Sequence, residues 1–596
     1  MKKTKKPLIR LIENVKANDP GVFRMCALYT LVTLCVPLFS VLLPRVLIGY
    51  LTESTPTLNG ILVIVCAFFA VGAVFHFLKQ WLHDSTYTRL TALRIDYVRD
   101  MAVKLLRMDY KYMESARFFD ERTSAFEATS SNNNGVEGIY HRLFDLPQLI
   151  LIVLLLSVFI GLLSLPVLIA LVVHTAATTF AAVAVQKYQY ARKEELSKAE
   201  RRVFYYSRAA KDFSYGKDVR MYDVKARILD NFKVQIKGYA DVFRAIRNRE
   251  YALGFITLAT LLIADLAIYG ILTWLTVNGM SIANYSMYIV AASTLSVQMK
   301  ALSDNVTYIM QEYMYVRDFF DYLDENLGEA GGSLPAVPAG TPLEIEFENV
   351  TFRYPDTDKN IFENFSLKIP AGQKLALVGI NGAGKTTFVK LLTGLFKADS
   401  GRILINGKDV NEYQKSALFK MFAAVFQDVN ILAFTVAQNV ACALDGIDYA
   451  RVEDVLQQVG LYEKVQSLEN GMDTMMLRII DENGAVFSGG ESQKLAIARA
   501  LYKGGNCVIM DEPTAALDAL AEAEIYAEFD ELTKGRTAIY ISHRLASTRF
   551  CDKIALIDGT GLVEYGSHDE LMQKGGVYRD MFVTQGKYYQ ESGVAV

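Results

Sequence analysis

Cysteine is scarce in this chain and never paired in sequence. The six residues Cys26, Cys35, Cys66, Cys442, Cys507 and Cys551 form no C-x-x-C spacing, which removes the usual sequence signs of a zinc site or a redox pair. Three sit in apolar runs and three among cytosolic-looking motifs, so they read as reduced, structural thiols. Positive charge is not in excess either. The formal net charge is −3, which argues against a basic nucleic-acid binder, and no nucleic-acid partner is expected. The N-terminal Met-Lys-Lys-Thr-Lys-Lys is basic, but no short apolar core ending at a small-residue cleavage site follows it, so a signal peptide is not expected. What abounds instead is apolar: hydrophobic residues make up 52% and mean hydropathy is +0.19. Spread over 596 residues, that composition predicts at least two domains, one of them in a lipid bilayer.

Long apolar stretches fill the first half. Spans are expected near residues 22–50, 59–82, 146–164, 166–186, 251–275 and 286–310, each long enough for a helix to cross roughly 30 Å of hydrocarbon. Pro37 and Pro44 are expected to kink the first, and Ser164-Leu165-Pro166 to form a tight turn between the third and fourth. Lys and Arg are missing on one side only. Loops 51–58, 164–166 and 276–285 contain none, whereas 83–145 holds nine and 187–250 holds seventeen. Positive loops stay in the cytoplasm, which predicts a multi-pass protein of a cell membrane with both termini cytoplasmic. The short outer loops suit a bacterial inner membrane.

Residues 83–112 lack turn residues and repeat apolar positions at helical spacing, at Leu90, Leu93, Tyr97, Met101 and Leu105. A helix running on from the second span for about 45 Å is predicted. Segment 187–250 allows the same, with a break near Ser214-Tyr215-Gly216. Loops this long are usually functional, and segments near 114–122 and 212–222 are expected to dock on the cytosolic domain and pass on its movement. A Gly- and Pro-rich stretch after Glu325 reads as a linker. The expected division is a transmembrane domain 1–325, a linker 326–342 and a further domain 343–596. From Leu343, short β-like runs (345–352, 366–369, 375–378, 403–405) alternate with helical ones. The fold class predicted is therefore an α-helical transmembrane domain of six spans with long cytosolic extensions, followed by an α/β domain, which the phosphate-loop pattern at Gly379–Thr386 makes a P-loop nucleotide-binding domain.

Residues 379–386 read Gly379-Ile380-Asn381-Gly382-Ala383-Gly384-Lys385-Thr386. They fit G-x-x-x-x-G-K-[ST], a loop whose backbone N–H groups close around nucleotide phosphates. An apolar run, Leu375 to Val378, precedes it as a buried strand does, and Thr387 and Phe388 to Leu392 continue it as a helix. Phosphate then meets a helix N-terminus, where dipole and free N–H groups favour an anion. In this setting Lys385 reaches the outer phosphates of the nucleotide and Thr386 ligates Mg²⁺. Cys507-Val508-Ile509-Met510-Asp511-Glu512 is an apolar strand ending in two carboxylates. Asp511 is expected to hold Mg²⁺ through water, and Glu512 to orient or deprotonate an attacking water.

Phe487-Ser488-Gly489-Gly490-Glu491-Ser492-Gln493 stands ahead of a helical run and resembles the signature motif of ATP-binding cassette (ABC) transporters, which usually reads Leu-Ser-Gly-Gly-Gln. Other markers of that family follow in order. Tyr354 in Phe-Arg-Tyr-Pro matches the aromatic that stacks on adenine, and Gln427 the glutamine between Mg²⁺ and the coupling interface. Ala516-Leu517-Asp518 matches the D-loop, His543 the switch histidine, and Asp481-Glu482-Asn483-Gly484 an acidic cross-contact loop. With six preceding spans, the resemblance covers essentially the whole chain. It implies a half-transporter of the exporter type that works as a dimer, in which Ser488, Gly489, Gly490 and Glu491 of one chain face the nucleotide held by the other. The resemblance also implies that ATP closes the dimer, that hydrolysis reopens it, and that an unidentified cargo leaves the cytoplasm by alternating access.

Glu491 departs from the family pattern. Ser488-x-x-Glu491 is also a capping box, and the added negative charge near a phosphate site predicts weaker ATP-driven closure. It also favours a heterodimer over a homodimer. Ala515 stands where many exporters carry Ser. Asp265 lies mid-span, where a carboxylate must face the bundle interior; it reads either as a contact for a cationic or polar cargo or as an interhelical hydrogen bond. His76 and His174 read as hydrogen-bonded helix residues. Two other functions share the architecture: an importer of siderophore type, and an ATP-gated sensor or regulatory subunit, which Glu512 argues against. About twenty residues precede the first span, too few for the cysteine-protease domain of a processing peptide exporter.

Overall fold

Two compact units make up the chain in a computed structural model that describes residues 6–53, 56–115, 118, 125–328, 331–355, 357–512, 533, 535–559 and 561–591. The first comprises residues up to Leu106 and Asp120–Glu325; the second comprises Arg107–Phe119 and everything from Asn326.

The first unit is helical throughout. α1 (Pro7–Asn18) is amphipathic and buries Leu11 and Val15. α2 (Gly21–Glu53) runs unbroken through Pro37 and Pro44, and α3 (Leu58–Arg107) is a single helix of 50 residues. The extension predicted beyond residue 82 is thus continuous with the second apolar stretch, buried along Leu90, Leu93, Tyr97 and Met101. α4 (Gly135–Leu163) and α5 (Leu165–Ala191) are joined by Ser164 alone. The turn is shorter than the three residues expected, because Pro166 fits the first turn of a helix, where its missing N–H costs nothing. α6 (Lys193–Lys211), a 3₁₀ turn at Phe213–Tyr215 and α7 (Gly216–Met221) precede α8 (Lys225–Val277) and α9 (Ile282–Asp324), so the break predicted near residues 214–216 falls in that turn.

Apolar faces of five helices meet in one cluster, including Val41, Ile152, Leu156, Leu171, Ile268, Leu272, Ala291 and Leu295. The opposite faces are apolar as well. Phe77, Phe255 and Leu262 are each more than 60% exposed, a surface that water does not tolerate and lipid does. Among the described residues α2, α3, α4, α5 and α8 are long and apolar enough to cross a membrane. α9, which holds the sixth expected span, is not among them, since Lys300, Asp304, Asn305 and several Ser and Thr dilute its hydropathy. Asp265 is exposed on α8. His174 is buried and shares a hydrogen bond of 3.0 Å with Thr260.

The buried Glu137 carboxylate of this unit is satisfied by its neighbours. Glu137 accepts from Thr91 Oγ1 and Arg94 Nε, each at 2.6 Å, and Arg94 also reaches the Thr129 carbonyl and Asn132. A buried charge persists when paired and fully bonded in this way.

The second unit is α/β. Strands β1 (Ile345–Arg353), β2 (Asn360–Ile369), β4 (Ser400–Ile405) and β5 (Lys408–Asp409) form an antiparallel sheet in the order β2-β1-β4-β5. Strands β3 (Lys374–Val378), β6 (Phe422–Val425), β7 (Cys507–Asp511), β8 (Thr537–Ile541), β9 (Lys553–Asp558) and β10 (Gly561–Gly566) form a second sheet, ordered β10-β9-β3-β8-β7-β6. All neighbours in it are parallel except β9 and β10. Both faces of this sheet are covered. Leu375, Leu377, Ile509 and Ile539 enter one core and Ala376, Val378, Val508 and Met510 the other, the two-residue alternation of strands buried on both sides.

Candidate functional site

Four parallel strands deliver the site. In such a sheet ligands bind beyond the carboxyl ends of the strands. Here β3 ends at the loop 379–384, β6 two residues before Gln427, β7 at Asp511 and β8 two residues before His543. The register Asp511↔Ile541 sets the last two side by side.

The loop passes into the helix Lys385–Leu392 through Gly384 at φ +97°. A Cβ at Gly384 would sit 2.9 Å from Ile361 and 3.0 Å from the Phe362 ring, so only glycine lets the loop turn here. Lys385 is buried, and its Nζ donates to the carbonyls of Gly379 (3.0 Å) and Ile380 (3.2 Å). Burial holds its ammonium below the usual lysine range, against the pull of Glu512 and Asp511. Asn381, Gly382 and Ala383 complete the loop, and Thr387 shares a 2.9 Å hydrogen bond with the Tyr354 hydroxyl. The Tyr354 ring meets Phe352 and Phe396 edge-on, at 5.2 and 5.3 Å between centroids.

Around the two carboxylates the geometry is tighter. Thr386 Oγ1 donates to Asp511 Oδ2 at 3.0 Å. Burial pushes the Asp511 carboxyl up to about 6, against the pull of Thr386 and Lys385. Its other oxygen, Oδ1, is buried with no hydrogen-bond partner among the described residues. An orphaned carboxylate oxygen beside a hydroxyl is a hard-oxygen donor set, and it fits Mg²⁺. Glu512 Oε2 accepts from Gln427 Nε2 at 3.1 Å, and Oε1 lies 2.5 Å from His543 Nε2. Burial and the nearby Lys385 charge hold the His543 imidazole below its usual range, while Glu512 pulls the other way. The Glu512 backbone lies at φ +52°, the left-handed region that costs a non-glycine residue on the order of 1–3 kcal/mol.

Ser488 caps the helix Gly489–Lys503 with Gly490 in its first turn. The Ser488 N–H donates to Glu491 Oε2 at 2.8 Å and the Glu491 N–H to Ser488 Oγ at 3.3 Å, the reciprocal box expected from the sequence. Lys464 Nζ stands 3.9 Å from Glu491 Oε1. Among the described residues these four signature positions bond to one another and to Lys464, not to the loop 379–387. Asp481 closes its own turn with Asn483 and Gly484. Asp518, with Ala515, Ala516 and Leu517, lies outside the described residues.

Two groups of contacts had no role in the sequence reading. Gln493 Nε2 donates to the Glu512 carbonyl at 3.3 Å. The segment Arg107–Phe119, though it follows α3 in sequence, belongs to the unit of the site. Its Glu114 Oε1 meets Lys390 Nζ at 2.6 Å, and its Tyr110 packs edge-on against Phe396 at 5.7 Å. The Lys390 ammonium also lies 5.5 Å from the Tyr354 ring centre. Residues 116, 117 and 119–122 of the docking segment expected near 114–122 lie outside the described residues. Lys390 sits one helical turn after Thr386, a spacing legible in sequence; its partner Glu114 is not.

Residues 362–515 match the family model described as ABC transporter. The chain is 39% identical over 243 residues to the ATP-dependent lipid A-core flippase of Escherichia coli (strain K12), and equally to that of Shigella flexneri. Each alignment covers 41% of this chain and 41% of the relative, so under half the length of these relatives is spanned. A solved bacterial Atm1-family ABC exporter with ATP bound shares the fold, with a TM-score of 0.74 at 24% identity over 97% of this chain and 99% of that one.

Proposed function

We propose, from a chain whose second unit carries an ABC transporter domain and whose fold is that of an ABC exporter, that it is a half-transporter which hydrolyses ATP to move cargo out of the cytoplasm. The observation that carries this reading is the Glu512 carboxylate, held between Gln427 and His543 beside the Thr386–Asp511 pair. A module that only binds ATP has no use for an oriented base there.

On this reading Tyr354 stacks on adenine, and the N–H groups of 379–387 bind phosphate oxygens. Lys385 leaves the Gly379 and Ile380 carbonyls for the outer phosphates. Thr386, Asp511 and Gln427 hold Mg²⁺, which when bound draws charge from the phosphate oxygens. Glu512 takes a proton from the attacking water, and His543 turns its Nε2 from Glu512 toward the γ-phosphate. The helix start at Ser488–Glu491 is a second anion-binding end that does not meet its own loop, so a partner chain supplies it. The functional unit is then a dimer with two nucleotides at its interface, closed by ATP and reopened by hydrolysis. Asp518 is assigned to that interface. Both termini face the cytoplasm of a bacterial inner membrane, with α9 as the sixth span. The Glu491 carboxylate favours a heterodimer.

ATPase activity of the chain purified alone in lipid, with its mass, tests the reading against Glu512→Gln. A dimer whose activity falls at least a hundredfold in the variant is expected, the scale of losing a general base. Full activity in Glu512→Gln would sink the reading.

A further inference from the structure

Among the described residues Glu512 is held at four points, and the function above uses two of them. Gln427 and His543 hold its carboxylate, and the Ile541 carbonyl accepts its N–H at 3.0 Å. The fourth is the bond from Gln493 Nε2 to its carbonyl at 3.3 Å, made by a side chain only 4% exposed. That bond matters because of the backbone conformation. At φ +52° the peptide relaxes toward negative φ unless its surroundings over-determine it. Such relaxation swings the carboxylate away from Gln427 and His543.

Gln493 is well placed to prevent this. It lies on the helix Gly489–Lys503, whose start is fixed by the Ser488–Glu491 box and whose inner face is buried at Leu495, Ile497 and Ala498. The amide therefore projects from a rigid element toward the Glu512 carbonyl.

We propose that Gln493 is a positioning residue that keeps the Glu512 backbone in its left-handed conformation and ties the base of this chain's nucleotide site to its own signature helix. The proposal rests on the function given above. It adds a route between the two sites of the dimer that lies inside each chain. The start of this helix receives the partner's nucleotide, and Gln493, a turn further on, holds the base that acts on the chain's own.

The test is a double-mutant cycle on the full chain in lipid, reading kcat and KM for ATP. Gln493→Met keeps the length and removes the donor. Its kcat is expected to fall about five- to tenfold, the worth of one hydrogen bond, with KM and the affinity for a non-hydrolysable ATP analogue changed less than about twofold. In the Glu512→Gln background, single-turnover hydrolysis is expected to show no further loss, because the carboxylate through which Gln493 acts is gone. An unchanged kcat, an equal fractional loss in both backgrounds, or a rise in KM alone overturns the proposal. Should Gln493→Met not fold, Gln493→Glu presents an acceptor to the same carbonyl and is held to the same criteria. Failure of the general-base reading shows separately, as activity in Glu512→Gln with Gln493 intact.

Discussion

A carboxylate at the start of the signature helix does two things at once. Glu491 accepts the Ser488 N–H, which a glutamine does equally well, and it adds a negative charge that a glutamine does not. Removing only the charge therefore separates the two effects. Glu491→Gln is expected to keep the helix intact and lower KM for ATP about two- to fivefold, the size of one charge at a helix terminus. Steady-state kinetics at low and high salt check it, and an unchanged KM would show that the charge does not reach the nucleotide. At this scale the sequence is highly legible where function is contiguous. The loop 379–386, the Asp511-Glu512 strand end and the capping box each fit within a few residues, and their geometry is local. The role of Gln493 escaped notice because its partner lies 19 positions away, across a contact that only the folding of its helix against the sheet creates.

Among the elements, the segment after α3 is the most informative. Tyr110 to Glu114 reach the nucleotide-binding unit through Phe396 and Lys390, and Lys390 and Phe396 also contact Tyr354. Glu114 is exposed and Lys390 half-buried, so their hydrogen bond is charge-assisted but partly screened by solvent. Lys390→Met is expected to cost about 1 kcal/mol locally. Amide exchange in residues 108–114 should then speed about fivefold, while β3, β7 and β8 keep their protection. Uniform exchange change, or none, would mean that the pair does not hold the segment. The sequence announced a docking segment from loop length and helical run alone. Its partner was hidden, because an ion pair 276 residues apart leaves no periodic trace.

Across the whole molecule, six stretches read as spans from the sequence, and among the described residues five of them are apolar enough to cross a membrane by composition. α2, α3, α4, α5 and α8 carry their membrane character in composition. α9 buries much of its length against its neighbours, including Ala291, Leu295, Val316 and Phe319, so it carries polar residues that a lipid-facing helix cannot. On the proposed topology its two ends lie on opposite sides of the membrane. In a cysteine-free background, Asn278→Cys is expected to react with a membrane-impermeant maleimide added to intact cells in an outer-membrane-permeabilised state. Asn326→Cys should react only after the inner membrane is opened. Labelling of both from outside would remove the sixth span and the cytoplasmic C-terminus together.

α3 has a further consequence as a piece of mechanics. Its 50 residues make a rod about 75 Å long, with no proline along its length to act as a hinge. A tilt of about 5° at one end displaces the other by roughly 6–7 Å for a rod of that length. Leverage of this kind turns a small rocking into a displacement the size of a side chain, so stiffness along α3 sets how much of that movement reaches its far end. A glycine pair placed near its middle would leave both ends folded and spoil the gearing between them.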